Sequence, residues 1–423
     1  MSASPLAGFL SAGAQPGRSQ IDAILEAVRL HLGMDIAFAS RFVGDQRQFT
    51  HINSELDLPS RPGDCEPLEH SICHYVREGR LPELIHNAPD HELAMTVPIV
   101  QALPVGAHIN VPLRLRDGSV YGSFCCLSQT ADYSLTERDL NTVRAFAELA
   151  IGQIEQQLAQ DARRDGLVAR VRGAIDSGQP AIFLQPIHSL DTGLSAGAEA
   201  LARFVDASQR PPNEWFDDAF EVGMGVELEL AAIRNALAAA AYVPPGHYLS
   251  INVSPESALS EELLPLLAGS RLDNLVLEVT EHSGIEDYAA LEAALAALRP
   301  YARIAIDDFG AGYSSLRHIL ALQPDILKLD MSLVRDIDRD SAKRALAGAM
   351  VGFAERVGAR LVAEGIERTE ERDVLRDLGV SYGQGYLFSR PMPLVAAQQQ
   401  MLGCAQAAPE KRTVPAPKHR DAA

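Results

Sequence analysis

The sequence predicts a mixed α/β chain: an α+β domain on an antiparallel sheet, followed by repeated strand–loop–helix units that close into a barrel. Three observations predict it. Between Ile21 and about Tyr133, short alternating strand-like runs surround an Arg116-Asp117-Gly118 turn of the kind that joins antiparallel neighbours. From about Gly166 the rhythm changes to short apolar runs separated by helical stretches. Nearly every later run ends on a polar or charged residue, which favours a barrel over the doubly wound sheet that such repeats also build.

The first domain opens with a helix, IDAILEAVRLHLG, apolar at Ile21, Ile24, Leu25, Val28 and Leu32. DIAFASRFV, HINVPLRL and SVYGSFCCLS follow as strands. A long helix begins at Thr136, where Asp139 three residues on completes a capping-box pattern. Its apolar stripe, Leu140, Val143, Phe146, Ala147, Ala150, Ile151, Ile154 and Leu158, packs either on its own domain or on a second copy of the chain; periodicity alone does not choose. Gln160 to Asp165 reads as the junction.

The later runs are AIFLQP, YLSINVS, LVLEVTE, RIAIDD, DILKLD and RLVAEG, with helices YAALEAALAALR, SAKRALAGAMVGFAERVG and TEERDVLRDLG between them. The expected organisation is a flexible N-terminus (1–20), the α+β domain (21–155), a helical linker (156–165), a barrel (166–405) and a disordered tail (406–423).

The 423 residues are 47% apolar and 22% charged, a globular composition. A net charge of -19 argues against duplex DNA or RNA as a partner and requires cations to attract any anionic substrate. Five cysteines without a CxxC pair, no basic leader and no long apolar run fit a cytoplasmic protein with no membrane association of its own.

The strand ends supply Glu199, Asn252, Glu278, Asp307, Asp308 and Glu364, all hard oxygen donors. Gathered at one end of a barrel they would repel and be driven to protonate unless cations intervened. An oxygen-only set suits Mg²⁺ or Mn²⁺ and is poor for zinc. With Asp307 as the bridging carboxylate, two such ions serve an in-line phosphoryl displacement. In ILKLD, Lys328 and Asp330 share one face, so the lysine points into the acidic centre. Each residue also has a plainer reading alone: Asp307-Asp308 as a solvated turn before Gly310, Lys328 with Asp330 as an ion pair, and Glu281, Asp325 and Glu367 as helix caps.

From Ala181 to Pro393 the chain resembles the EAL-type cyclic di-GMP phosphodiesterases through an ordered series of motifs. They are Gln185-Pro186, Glu199-Ala200-Leu201 with Arg203, Asn252-Val253-Ser254, Glu278-Val279-Thr280-Glu281, Asp307-Asp308-Phe309-Gly310, Lys328-Leu329-Asp330, Glu364-Gly365-Ile366-Glu367 and Gln384-Gly385-Tyr386. The resemblance implies a modified TIM-type (βα)8 barrel with one reversed strand, and hydrolysis of cyclic di-GMP to linear pGpG with two Mg²⁺ or Mn²⁺ ions. It also implies metal ligation by Glu199, Asn252, Glu278, Asp307, Asp308 and Glu364, and catalytic roles for Lys328, Glu364 and Glu281. Substrate contacts are implied for Gln185, Arg203, Asp330 and Gln384. Ala202, Phe204 and Ala311 depart from the usual pattern but remove no ligand. A barrel that binds cyclic di-GMP and signals without turnover is the alternative.

The preceding domain resembles GAF sensor modules through Glu69 to His74, the Asn87-Ala88-Pro89-Asp90 segment and the strand pair ending at Ser128. That resemblance leaves its ligand unknown; the chain is expected to control cyclic di-GMP hydrolysis through this sensor domain and to act as a homodimer. Cys73-His74 superficially resembles the bilin attachment dipeptide of phytochromes, and its plainer reading is a buried thiol beside a surface histidine. Cys65, His70 and His74 form a sparse candidate metal set.

Overall fold

The computed structural model describes residues 19–102, 104–205, 210–270, 274–279, 287–309 and 322–406. They form two compact units that divide between Arg163 and Arg164. No helix among the described residues is long and apolar enough to cross a membrane.

The first unit begins with helix Gln20–Leu32, where the Ser19 hydroxyl accepts from the Ile21 N–H and Gly33 ends the helix in the left-handed region at φ 65°. Ile21, Ile24, Leu25 and Val28 are buried, as the period predicts. Six strands form the sheet: β1 (Ile36–Val43), β2 (Gln46–Ser54), β3 (Cys65–Pro67), β4 (Leu84–Ile85), β5 (His108–Arg114) and β6 (Val120–Leu127). Their order is β3-β2-β1-β6-β5-β4, and every pair is antiparallel. Asp117-Gly118 turns β5 into β6, with the Asp117 carboxylate accepting from the Ser119 N–H at 2.8 Å.

Helix Glu137–Asp176 runs for 40 residues, so Gln160 to Asp165 continues it without a break. At its start Asp139 accepts from both the backbone N–H and the hydroxyl of Thr136, each at 2.8 Å. The hydroxyl therefore donates to Asp139 rather than capping a backbone N–H, and only one half of the expected capping box forms. Leu140, Val143, Phe146, Ala147, Ala150 and Ile154 are buried in the core of the first unit, while Leu158 is exposed. The stripe is thus largely consumed by its own domain. Beyond the division the same helix belongs to the second unit, where its Leu167, Val171 and Ala174 pack with Phe204 and Trp215.

The second unit is a closed ring of strands: β7 (Ala181–Ser189), β8 (Ser195–Arg203), β9 (Tyr248–Val253), β10 (Leu275–Val279), β11 (Arg303–Phe309), β12 (Ile326–Leu329), β13 (Arg360–Ala363) and β14 (Tyr382–Gly383). They pair in sequence order and β14 returns to β7. Pairings from β8 through β14 are parallel, and β7 is antiparallel to both neighbours. This is a (βα)8-type barrel with one reversed strand; β15 (Met392–Pro393) pairs on the far part of β7. Helices Tyr288–Leu298, Ser341–Val357 and Thr369–Asp377 lie where the 3.6-residue period puts them.

Both faces of the strands are buried, which explains why they read as near-continuous apolar runs. Leu277, Ile304, Leu327 and Leu361 join the large outer core with helix residues such as Leu291 and Leu295. Alternate positions, Ile187, Tyr248, Val276, Ala305, Ile326 and Val362, form a separate cluster that fills one layer of the barrel interior.

Two expected helix caps are corrected. The Asp325 carboxylate accepts from the Ile304 N–H at 2.8 Å and pairs with Arg299 at 3.2 Å, so it ties a loop to β11. Glu367 is exposed and pairs with Arg335 at 3.8 Å; Glu371 instead returns to the Arg368 N–H at 3.0 Å to cap Thr369–Asp377. Glu281 lies outside the described residues.

Candidate active site

The interior layer fixes where the functional side chains fall. Side chains alternate along a strand, so the residues two positions beyond Val276, Ala305, Ile326 and Val362 share their face. They are Glu278, Asp307, Lys328 and Glu364. Ser250 and Asn252 follow Tyr248 in the same way, and Glu199 follows Gly197. β7 runs in the opposite direction, so its matching residue precedes Ile187 and is Gln185.

Lys328, 2% exposed, is the hub. Its Nζ lies 2.5 Å from Glu364, 2.6 Å from Glu278, 3.4 Å from Asp307 and 3.6 Å from Glu199. Asn252 donates to Glu199 at 2.9 Å, and Gln384 donates to Glu199 at 2.6 Å and to Gln185 at 2.9 Å. Gln185 in turn donates to the Ser389 carbonyl at 3.0 Å. Gly385 permits this: a Cβ there would stand 2.2 Å from the Ile366 carbonyl oxygen, and Ile366 N–H donates to the Gln384 carbonyl at 3.0 Å.

One ammonium facing four carboxylates leaves excess negative charge in a dry place. Burial and the neighbouring Glu199 push Glu278 well above the ordinary carboxylate range. Burial, relieved in part by Lys328 and reinforced by the Asp307 charge, pushes Glu364 up to about 8. Burial also disfavours ionised Glu199, but Lys328 and the hydrogen bonds from Gln384 and Asn252 outweigh it and hold this carboxyl below its usual value. For Lys328 burial is outweighed by the surrounding carboxylates, which keep it firmly protonated.

The structure therefore brings together Glu199, Asn252, Glu278, Asp307, Lys328, Glu364, Gln384 and Gln185. Asp308 is the next residue of β11, and its side chain lies outside the described residues. Arg203 stands apart, donating to the Ala202 carbonyl at 2.7 Å beside the Phe183 ring. With Asn252, Ala200 and Phe216 it lines a cavity of about 680 Å³, within the ~300–1,000 Å³ of small-molecule sites. Asp330 caps helix Met331–Val334, accepting from the Ser332 N–H at 3.0 Å, so the shared face with Lys328 does not place it in the carboxylate cluster.

Two contributors were not read from the sequence. The Ser250 hydroxyl donates to Glu278, a position recoverable as two residues before Asn252 on the same face. Glu229, on helix Gly225–Ala239, accepts from the Ser254 N–H at 2.8 Å and from the hydroxyls of Ser254 and Ser257, anchoring the turn after Asn252. No local motif marks it.

The donor set has the chemistry that a hard divalent cation takes, although its described carboxylates converge here on Lys328 and not on a single ion position. Its ligands are all oxygen, the carboxylates outnumber the lysine, and the buried Gln384 Oε1 beside them has no partner.

In the first unit, Cys65 and His70 are exposed and His74 pairs with Glu78 at 3.4 Å, so the candidate metal set does not assemble. Among the described residues the acidic trio within reach of one ion is Asp336, Asp338 and Glu371, and Arg368 already pairs with all three. Cys73 is 1% exposed and enclosed by Arg47 and Cys125, which leaves no room at its sulfur for a group as large as a bilin.

Fold and site together define a (βα)8 barrel with one reversed strand and a carboxylate-rich, lysine-centred mouth. The chain belongs to the EAL domain family, whose model matches residues 168–391, and the GAF domain model matches residues 18–154. It is 33% identical over 248 residues to the cyclic di-GMP phosphodiesterase RocR of Pseudomonas aeruginosa, covering 53% of this chain and 61% of that one. It is 31% identical over 236 residues to the probable cyclic di-GMP phosphodiesterase PdeB of Escherichia coli, covering 53% and 45%. The chain thus spans less than two thirds of either relative. The EAL domain of FimX from Xanthomonas citri, solved in complex with c-diGMP, shares the fold at a TM-score of 0.50 and 20% identity, over 56% of this chain and 97% of that one.

Proposed function

We propose that the barrel hydrolyses cyclic di-GMP to linear pGpG and that the GAF unit controls it. The convergence of Glu199, Glu278, Asp307 and Glu364 on Lys328 carries this reading. The names of RocR and PdeB support the choice of substrate. Glu199, Asn252, Glu278, Asp307, Asp308 and Glu364 would hold divalent cations of the Mg²⁺ or Mn²⁺ class, which supply Lewis-acid polarisation and neutralise charge on the reacting phosphate.

The chain's own residues do the rest. Lys328 is protonated and donates a hydrogen bond to an attacking water, and Glu364, 2.5 Å from it, accepts the proton that the water loses. Gln384 and Gln185 fix the orientation of Glu199 and present amides to the ligand. Arg203 offers its guanidinium to the dinucleotide from the adjoining cavity. Asp330 would contact substrate only by leaving its capping bond, and Glu281 is assigned to the loop after Asp308 by resemblance alone. Control by the GAF unit is supported by helix Glu137–Asp176, which contributes buried residues to the cores of both units. The setting of this reading is the cytoplasm, with the chain acting as a homodimer.

Incubating the protein with cyclic di-GMP and Mg²⁺ or Mn²⁺, then separating the products by chromatography, tests the proposal. Linear pGpG is expected. Tight binding with intact cyclic di-GMP after hours would instead establish the receptor alternative.

A further inference from the structure

The first unit buries three cysteines, and two of them are set apart from the third by their surroundings. Cys73, on helix Ile72–Arg77, and Cys125, on β6, bring their sulfurs to 3.4 Å, about 1.4 Å from the ~2.05 Å of a disulfide bond. Arg47 of β2 donates to Cys73 Sγ through Nη1 at 3.0 Å. Its guanidinium lies over the rings of Phe49 and Phe38, at 4.6 and 5.3 Å from their centroids, and its other Nη2 group pairs with Glu66. Arg47 is itself 3% exposed. Cys126 follows directly on β6, faces the opposite side of the sheet, and has no such cation.

We propose that Cys73 and Cys125 form a peroxide-reactive thiol pair, in which Cys73 is the attacking thiolate, Arg47 stabilises it and Cys125 resolves it to a disulfide. Burial opposes ionisation of Cys73, but the hydrogen bond from Cys125 and the Arg47 charge outweigh it and hold the thiol at about 5. Burial and the neighbouring Cys73 push Cys125 well above the ordinary thiol value, so it keeps its proton. A small cavity of about 60 Å³ is lined by Arg47, Phe38, Phe49, Ile72 and His108; it reaches the guanidinium that holds Cys73 and is the proposed route of a small hydroperoxide toward the pair.

The step balances in two stages. The Cys73 thiolate attacks one oxygen of the hydroperoxide, a sulfur–oxygen bond forms, the peroxide bond breaks, and the departing oxygen leaves as hydroxide or alkoxide, taking a proton from solvent. Cys125 then attacks the Cys73 sulfenic sulfur; the sulfur–sulfur bond forms, and hydroxide leaves with the Cys125 proton as water. The two thiols lose two electrons and the hydroperoxide gains them. A cellular dithiol reverses the bond by exchange.

The test treats the full-length protein with hydrogen peroxide, quenches it, unfolds it and alkylates the remaining thiols for peptide mass spectrometry. Alkylation is expected to fall together at Cys73 and Cys125, with a linked peptide about 2 Da lighter than the two thiol peptides combined. Dithiothreitol restores both, and Cys126, which burial alone raises to about 12, stays alkylatable throughout. The C125S variant should stop at a Cys73 sulfenic acid that dimedone traps, and R47M should slow the reaction about tenfold. Undiminished alkylation of Cys73 and Cys125 overturns the proposal. So does oxidation of Cys126 in step with them, which reports general unfolding. The readout is the thiols themselves and stands apart from turnover in the barrel.

Discussion

Lys328 Nζ and Glu278 Oε2 are 2.6 Å apart, and both side chains are 2% exposed. Removing one member of a buried pair leaves the other uncompensated, at a cost of about 3–5 kcal/mol. Here it leaves four carboxylates facing one another. Lys328→Met is therefore expected to lower the unfolding midpoint of the barrel sharply in EDTA, followed by circular dichroism, and to recover part of the loss with Mn²⁺. An unchanged midpoint in EDTA would show that the lysine does not hold the centre together.

Asp307→Asn keeps the shape of the side chain and removes its charge. The fold should persist, because Asp307 is half-buried and Lys328 retains three carboxylate partners. Turnover should fall by at least about 10³-fold if cation placement governs the chemistry. Rates near those of the unmodified protein would remove Asp307 from the bridging role.

Gly385→Ala must displace backbone, since its Cβ would meet Ile366 N, C and O at 2.2 to 2.7 Å. The displaced segment carries Gln384, which orients Glu199. A loss of about 1–3 kcal/mol in stability is expected, with a larger loss of cyclic di-GMP affinity than that seen for Gly348→Ala, on a helix whose Cβ meets only Leu378 at 3.7 Å. Equal behaviour of the two variants in calorimetry would contradict the close-approach argument.

His108 supplies a pH test. Burial, then the Arg47 charge, depresses it to about 3, so the folded state holds it neutral while the unfolded chain protonates it near 6.5. The unfolded state then binds the extra proton, and this contribution to stability is full above about pH 6.5 and is lost as pH falls toward about 3. Thermal melts of His108→Leu should lose less stability between pH 7 and 5 than melts of the unmodified protein. Parallel slopes would refute the buried neutral imidazole.

Much of the barrel was legible because its strands are buried on both faces and stand out as apolar runs, and because their polar exits recur at a constant place. β8 was harder: Ser195–Arg203 is built of small residues, and only Glu199 betrayed it. β14 is two residues long and β2 is rich in polar residues, so neither shows a period. The reversal of β7 cannot be read from alternation, which has no direction, and it is what puts Gln185 rather than a residue after Ile187 in the site. Asp330 misled for a related reason: the face of a strand persists only while the strand does, and β12 ends at Leu329. Glu229 acts through a helix distant in sequence, so no local pattern could announce it.

The dependence of hydrolysis on added cation probes the carboxylate centre itself. Protein stripped with EDTA and titrated with Mn²⁺ in the presence of cyclic di-GMP should show no pGpG at first and then turnover rising to saturation. Hydrolysis undiminished in EDTA, or bound but intact cyclic di-GMP at saturating Mn²⁺, would contradict it.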